Sequence, residues 1–314
     1  MSKTVRAVDG GGAGYRRADV DECGKLSNFA TIGQTACTGK LIDFVSWDIP
    51  PDSEGTSYAL AGINLANKVM RVCPNAHFLD GVALADETTR KTNRPALIFN
   101  DMECPTAGVA AMLPDEDLFG FYTQSSGIGI RGWDNGRILM PYGEDGHLHL
   151  DISPFAPICG CGVRGCMESI LGGNAIRRRV RDETEALGIL LPPGEPCRHL
   201  DEAYDNGEPW ARSIYRMIAL GMGILLADLQ TTFCFPLIVY KGTFALHVMP
   251  KIEDEVRASM RTRLIDPSRA NRANLRIIPS PDPVNDALIG AAAMFRARMQ
   301  ECPRDFAGVA LANR

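Results

Sequence analysis

Three cysteines fall within eight residues in the run Cys159-Gly160-Cys161-Gly162-Val163-Arg164-Gly165-Cys166. The intervening glycines let the backbone fold tightly around one point. His147 lies twelve residues before Cys159. Three thiolates and one imidazole make a tetrahedral Cys3His zinc set. A site with four protein ligands leaves no position for water or substrate, so the metal it holds is structural. The plain alternative is a group of ordinary thiols. A redox pair would instead use Cys-x-x-Cys in a thioredoxin-like setting.

Other chemistry-bearing residues stand at the ends of apolar runs. Residues 4–8 read as a strand that ends at Asp9-Gly10-Gly11-Gly12, a tight hairpin or a ligand-facing turn. Residues 95–99 read as a short buried strand leading into Asn100-Asp101. A carboxylate placed there is held rigidly enough to act as a general base, and the alternative is a turn or helix N-cap. Residues 118–123 lead into Ser125-Ser126-Gly127-Ile128-Gly129, and residues 236–240 into Lys241-Gly242. Glu144 and Glu168 flank the zinc set, and taken alone they are solvated surface carboxylates.

These residues need elements to position them. The spacing of Leu60, Ile63, Leu65, Ala66, Val69 and Met70 predicts a helix over 57–72. Residues 16–21 read as the returning strand of the first hairpin and 77–84 as a further strand. Helices are predicted over 167–181, 210–233 and 284–299, and Pro-Pro-Gly at 192–194 is a loop. Strands alternating with helices make an α/β chain with covered sheets, whose best break lies near residues 100–105.

A chain of 314 residues suffices for one large domain or two ordinary ones. Its 45% apolar and 23% charged residues exclude a disordered chain and a disulfide mini-scaffold. The net charge of −5 lacks the basic balance of a nucleic-acid footprint, so no nucleic-acid partner is expected. The most apolar stretch, 217–240, is interrupted by Asp228 and Gln230. A bilayer span needs about 20 mostly apolar residues, so no membrane partner is expected either. The N-terminus has no apolar signal core. Seven of the ten cysteines are scattered, which fits reduced thiols and a cytoplasmic location.

Glu144-Asp145-Gly146-His147, followed by Cys159-Gly160-Cys161-Gly162-Val163-Arg164-Gly165-Cys166-Met167-Glu168, resembles the signature of the ROK family (repressors, open reading frames, sugar kinases). That signature is Glu-x-Gly-His and then Cys-x-Cys-Gly-x-x-Gly-Cys-x-Glu. The likeness extends weakly along almost the whole chain. Asp9-Gly10-Gly11 is similar to the family's first phosphate loop, Asn100-Asp101 to its catalytic pair, and Ser126-Gly127-Ile128-Gly129 to its second phosphate loop. Leu288-Ile289-Gly290-Ala291-Ala292 is similar to its C-terminal Ile-Gly-Ala-Ala helix.

The resemblance implies an α/β, two-domain actin-like (ribonuclease-H-like) ATPase fold with an interdomain cleft. The smaller domain would comprise residues 1–104 plus a C-terminal helix at about 284–314, and the larger one, 105–283, would carry the zinc motif. The implied activity is ATP-dependent phosphorylation of a hexose at its 6-hydroxyl, with glucose or an N-acetylated hexosamine as acceptor. Mg-ATP would be the co-substrate and zinc a structural metal. Asp101 would be the catalytic base, and Asn100, Asp101, Glu144, His147, Glu168 and Gly81 would bind the sugar. Asp9, Gly10, Gly11, Gly12, Ser126, Gly127, Gly129 and Gly242 would bind the nucleotide. His147, Cys159, Cys161 and Cys166 would hold the zinc. Self-association into a homodimer through the larger domain is implied too, with the 210–233 helix serving core or interface.

The chain departs from the pattern on the nucleotide side. Asp9-Gly10-Gly11-Gly12-Ala13-Gly14 has no hydroxyl where the family continues with Thr and a Lys or Asn. Ser125, Ile130 and Arg131 add side chains to a loop that reads Gly-Thr-Gly-x-Gly-x-Gly in the family, and Arg131 pairs with phosphate, blocks it or is an ordinary exposed arginine. Lys241-Gly242 keeps one glycine of an expected two, and no Pro precedes Gly81. The rival reading is therefore a ROK-fold sugar-binding protein with degenerate nucleotide loops and little or no kinase activity. The repressor branch places a helix-turn-helix before its first phosphate loop, which here begins at residue 9.

Overall fold

The computed structural model describes residues 3–11, 14–73, 76–140 and 144–301. Gly12 and the stretch 302–314, both named above, lie outside the described residues. The chain begins with β1 (Thr4–Gly11), β2 (Gly14–Val20), β3 (Leu26–Gly33), α1 (Thr38–Ser46) and β4 (Ser53–Leu60). It continues through β5 (Ile63–Leu65), β6 (Val69–Val72), α2 (Leu84–Thr92), β7 (Ala96–Asn100) and α3 (Glu103–Met112). Then come β8 (Leu118–Gln124), β9 (Ile128–Asp134), β10 (Arg137–Leu139), α4 (Met167–Leu171), α5 (Gly173–Ala186) and α6 (Pro196–Asp205). The last elements are α7 (Pro209–Phe233), β11 (Leu237–Lys241), α8 (Thr243–Arg261), β12 (Arg276–Pro279) and α9 (Asp286–Glu301).

Two compact units result. One comprises Met1–Asp117, Trp133–Tyr142 and Pro281–Arg314, and the other Leu118–Gly132 and Gly143–Ser280. The boundary thus falls at 117/118 rather than at the expected 104/105. The reason is that α3, which begins at Glu103, packs on α9 and stays with the first unit. With α3 and residues 133–142 included, the first unit spans about as many residues as the second and is not the smaller one.

The first unit is built on a sheet in the order β3-β2-β1-β4-β7, in which β1, β4 and β7 run parallel and β2 antiparallel to β1. Residues of β1 alternate between its two faces. Val5 and Ala7 pack with Leu288, Ala292 and Phe295 of α9, and Val8 with Leu41 and Val45 of α1 and Leu84 of α2. The strand is therefore apolar on both faces, and each fully buried Val or Leu contributes roughly 1.5–3 kcal/mol. Buried Arg6 grips Asp19 through Nε and Nη2, at 2.5 and 3.1 Å, and donates to the carbonyls of Val45, Trp47 and Asp48. That pair locks the β1–β2 register that sets Asp9 opposite Arg16.

The crossing of α3 and α9 explains the Leu288–Ala292 motif. A Cβ on Gly290 would overlap the Cys104 carbonyl oxygen, and one on Gly108 the Asp286 carbonyl oxygen. Backbone cannot yield as a flexible side chain can. Gly290→Ala should therefore destabilise the protein by about 3 kcal/mol, the upper end for overpacking. Urea unfolding checks this, and an unchanged midpoint would mean that the helices do not cross so closely.

Three predicted elements differ. Residues 57–72 are not a helix but the end of β4 and the β5–β6 hairpin. β4 is covered on both faces, so its apolar residues run on without a period of two. Followed by the hairpin, they imitate helical spacing. Residues 77–84 are not a strand. They form a 3-10 turn at His77–Leu79, a left-handed turn at Gly81 (φ +75°) and the start of α2. The predicted 167–181 helix is broken at Gly172 into α4 and α5.

The second sheet has the order β10-β9-β8-β11-β12, with β8, β11 and β12 parallel. α7 is long and apolar enough to cross a membrane by length and composition, but 67% of its apolar window is buried inside the protein. Ile214, Ile218, Met222, Leu225 and Leu226 are buried along it, so it is a core helix.

Candidate functional site

The four predicted metal ligands converge. One donor atom from each of His147, Cys159, Cys161 and Cys166 lies within 4.8 Å of all the others. Cys159 Sγ is 3.4 Å from His147 Nδ1, and Cys161 Sγ is 3.6 Å from Cys166 Sγ. The loop turns because Gly162 and Gly165 adopt φ of +88° and +76°, and a side chain at Gly165 would overlap the Asp151 carbonyl oxygen. Burial pushes the Cys159 thiol up and the Cys166 thiol up to about 12, while the Val163 backbone amide draws the Cys161 thiol down. Soft donors in this number and proximity suit zinc better than magnesium or calcium, which take oxygen. A cation here must displace thiol protons, so its affinity falls as pH falls.

The same glycine-rich packing joins this cluster to the loop after β8. Buried Gln124 donates to the Leu171 carbonyl of α4 at 2.5 Å. The first amides of α5, on Gly173 and Asn174, donate to the carbonyls of Ser125 and Ser126 at 2.9 and 3.0 Å. This is the physical reason for the break at Gly172. The orphan N–H groups of a helix start are satisfied by the loop. The Ile128 amide donates to Glu168 Oε2 at 3.3 Å, and a Cβ on Gly127 would overlap that same oxygen. Gly242 (φ +99°) precedes α8, and a side chain there would overlap the Gln124 carbonyl oxygen. Ser126, Gly127, Gly242 and Glu168 are thus gathered around the end of β8. Gly129 lies within β9, Glu144 is exposed, and the His147 amide closes a 3-10 turn on the Glu144 carbonyl at 3.0 Å.

In the first unit, Asp9, Gly10, Gly11, Asn100 and Asp101 all stand at the carboxyl ends of the parallel strands β1 and β7. In open α/β sheets, ligands bind beyond those ends. Gly10, Gly11, Tyr15, Leu60, Ala61 and Cys73 line a shallow recess there. The Asp101 amide donates to the Leu60 carbonyl at 3.1 Å. Asn100 serves the backbone at both ends of its carboxamide: Nδ2 donates to the Gly62 carbonyl at 3.1 Å and Oδ1 accepts from the Met102 amide at 2.9 Å. Gly81 is held by its amide, which donates to the Met70 carbonyl at 2.7 Å.

Two arginines have partners that sequence reasoning did not name. Arg16 pairs with Asp9, with Nη2 at 2.6 Å and Nε at 2.7 Å from Oδ2. The signal was the hairpin itself, since closing it at Gly11 and Gly14 sets Asp9 opposite Arg16. Buried Arg131 pairs with Asp145 of the 3-10 turn at 2.5 Å. No local signal links two residues on separate elements in that way. Burial raises the Asp145 carboxyl pKa, against the pull of Arg131.

A family model described as "ROK family" matches residues 59–298. An N-acetylmannosamine kinase of Salmonella arizonae is 28% identical over 257 residues, covering 77% of this chain and 84% of that protein. A glucokinase of Thermotoga maritima is 24% identical over 323 residues, covering 93% and 97%. Among solved structures, a ROK family glucokinase from Streptomyces griseus, in complex with glucose and AMPPNP, superposes with a TM-score of 0.74 at 22% identity. That likeness covers 94% of this chain and 99% of the other. It establishes the fold, the two-domain actin-like α/β architecture of those kinases.

Proposed function

The chain belongs to the ROK family, and on that premise we propose that it transfers the γ-phosphoryl group of Mg-ATP to the 6-hydroxyl of a hexose, either glucose or an N-acetylated hexosamine. The observation that carries this reading is the placement of Asp9, Gly10, Gly11, Asn100 and Asp101 at the carboxyl ends of β1 and β7. The sugar-kinase names of the relatives support it.

Phosphoryl transfer asks a protein mainly to position groups and to stabilise charge. Asp101 takes the proton of the attacking hydroxyl. Asn100 fixes the turn that carries Asp101 through its bonds to Gly62 and Met102, and would offer its remaining amide hydrogen-bonding capacity to a sugar hydroxyl. Glu144, His147, Glu168 and the Gly81 turn bind the remaining hydroxyls. Each hydroxyl is both donor and acceptor, and a site that leaves one unpaired loses affinity. Asp9 with the Gly10–Gly12 loop, and Ser126, Gly127 and Gly129, receive the phosphates, with Gly242 on the adenosine side. His147, Cys159, Cys161 and Cys166 hold a zinc ion, which supplies a fixed cross-link and takes no part in the transfer. The same reading includes a homodimer and a cytoplasmic location. Sedimentation at micromolar concentration that shows only monomer removes the dimer.

A sugar-binding protein without turnover is the second reading. The pairing of Asp9 with Arg16 favours it, because that carboxylate is already engaged on the phosphate side. A coupled ADP-release screen over a panel of hexoses, beside calorimetry with the same sugars, separates the two. ADP release with glucose or an N-acetylhexosamine is expected. Binding without release from zinc-replete protein establishes the second reading.

A further inference from the structure

The strand β9 carries two attachments to the residues proposed for the sugar. At its start, the Ile128 amide donates to the Glu168 carboxylate. Three residues on, Arg131 reaches Asp145, which stands between Glu144 and His147 in the 3-10 turn. The Arg131 side chain is 3% exposed and that of Asp145 12%. Arg131 Nη1 donates both to Asp145 Oδ2, at 2.5 Å, and to the Ile130 carbonyl, at 2.7 Å. Gly146 is pressed onto the same strand, since a Cβ there would overlap the Ile128 carbonyl oxygen. The turn is therefore pinned to β9 at two points, one a backbone contact and the other a buried ion pair.

A buried ion pair is weak evidence of stability, because desolvation offsets its attraction. Its better-attested use is to fix one arrangement among several. Here the arrangement fixed is the direction of Glu144 and His147. The glycine-rich loop of the resembling family has Gly where this chain has Arg131, so the device belongs to this chain's own sequence. The sequence left Arg131 as a phosphate partner, a block or an ordinary exposed arginine. The guanidinium is instead buried, and its Nη1 is committed to the sugar-side turn.

We propose that Arg131 is a positioning residue for the sugar side: through Asp145 it holds the Glu144–His147 turn in its binding conformation. This rests on the hexose-binding part of the function proposed above and not on turnover. Partners that orient ligating residues typically change affinity by about 10- to 100-fold when removed. Arg131→Met and Asp145→Asn should each weaken glucose or N-acetylmannosamine binding by about that factor, measured by calorimetry without nucleotide. Mg-ADP affinity should stay within about twofold of wild type, because Arg131 Nη1 is committed to Asp145 and the Ile130 carbonyl rather than to a phosphate. The double variant Arg131→Met/Asp145→Leu replaces both charges by apolar groups and should recover most of the hexose affinity, since only a lone buried charge is costly.

Hydrogen exchange of the 144–150 segment gives a readout independent of any ligand. It should speed up in both single variants and return toward wild type in the double. Because Asp145→Asn is isosteric, it keeps the test open where Arg131→Met fails to fold. Loss of Mg-ADP affinity with hexose affinity retained would make Arg131 a phosphate ligand and overturn the proposal. So would unchanged exchange in the 144–150 segment of both single variants. A wild type that binds hexose but releases no ADP defeats the kinase reading and leaves this one standing. A wild type that binds no hexose removes the reading on which this rests and overturns the proposal with it, whatever the exchange result.

Discussion

Asp101→Asn should lower the rate of ADP release by about 10²–10⁴-fold, the usual worth of general-base assistance. In activation free energy that is about 3–5 kcal/mol. The substitution is isosteric, and backbone bonds brace the turn that carries it. The Asp101 amide donates to the Leu60 carbonyl, and Asn100 braces Gly62 and Met102. Fold and hexose affinity should therefore persist while kcat collapses. The decisive comparison is kcat against hexose Kd for the variant and wild type. A variant with nearly wild-type kcat would assign the proton to another group. A variant that lost hexose affinity as much as kcat would make Asp101 chiefly a binding residue.

Cys161→Ala should remove most of the bound zinc and weaken hexose binding with it. The segment from Leu148 to Cys166 has little core of its own, for Ile152 is 94% and Phe155 92% exposed. A few backbone bonds hold it, among them the Leu150 amide to the Gly165 carbonyl and the Met167 amide to the Leu148 carbonyl. A zinc ion on the four converging donors would be the cross-link that makes this segment rigid, and Glu168 and His147 lie at its two ends. Loss of one thiolate should cost about 10- to 100-fold in hexose affinity. The first unit has its own sheet and two apolar layers, so its hydrogen exchange should not change. The pH dependence has a definite sign. The Cys166 thiol sits at about 12 without metal, so zinc competes with a proton at every pH below that, and apparent zinc affinity falls as pH falls. Elemental analysis and calorimetry on variant and wild type settle the matter. Wild type without metal, or a variant with unchanged zinc and unchanged hexose affinity, would show that the cluster is not the structural centre of the site.

The two tests lean on different kinds of information. Cys159, Cys161 and Cys166 were legible because their spacing, and the glycines between them, are local properties of a short loop. His147 joined them as the fourth donor of a tetrahedral set, and the structure brings all four donors together. β1, β7, α7 and α9 were legible for a similar reason, as unbroken apolar runs with clear ends. Residues 95–99 were likewise legible as a strand leading into Asn100-Asp101, and β7 ends at Asn100.

What lay outside the sequence was everything that depends on which surface meets which. Residues 57–72 imitated a helix because β4 is covered on both sides, and no periodicity within a segment says how many sides will be covered. The helix predicted over 167–181 breaks at Gly172 because its second half caps itself on Ser125 and Ser126, 48 residues away in sequence. α3 belongs with α9 because Gly108 and Gly290 let two backbones touch, an arrangement that exists only once the chain has returned from residue 118 to 280. Arg131 found Asp145, and Asp9 found Arg16, for the same reason. Ligand chemistry is written in residue types and short spacings, which sequence carries directly. Partners of buried charges and the ends of helices are fixed by non-local packing, and only the folded chain decides those.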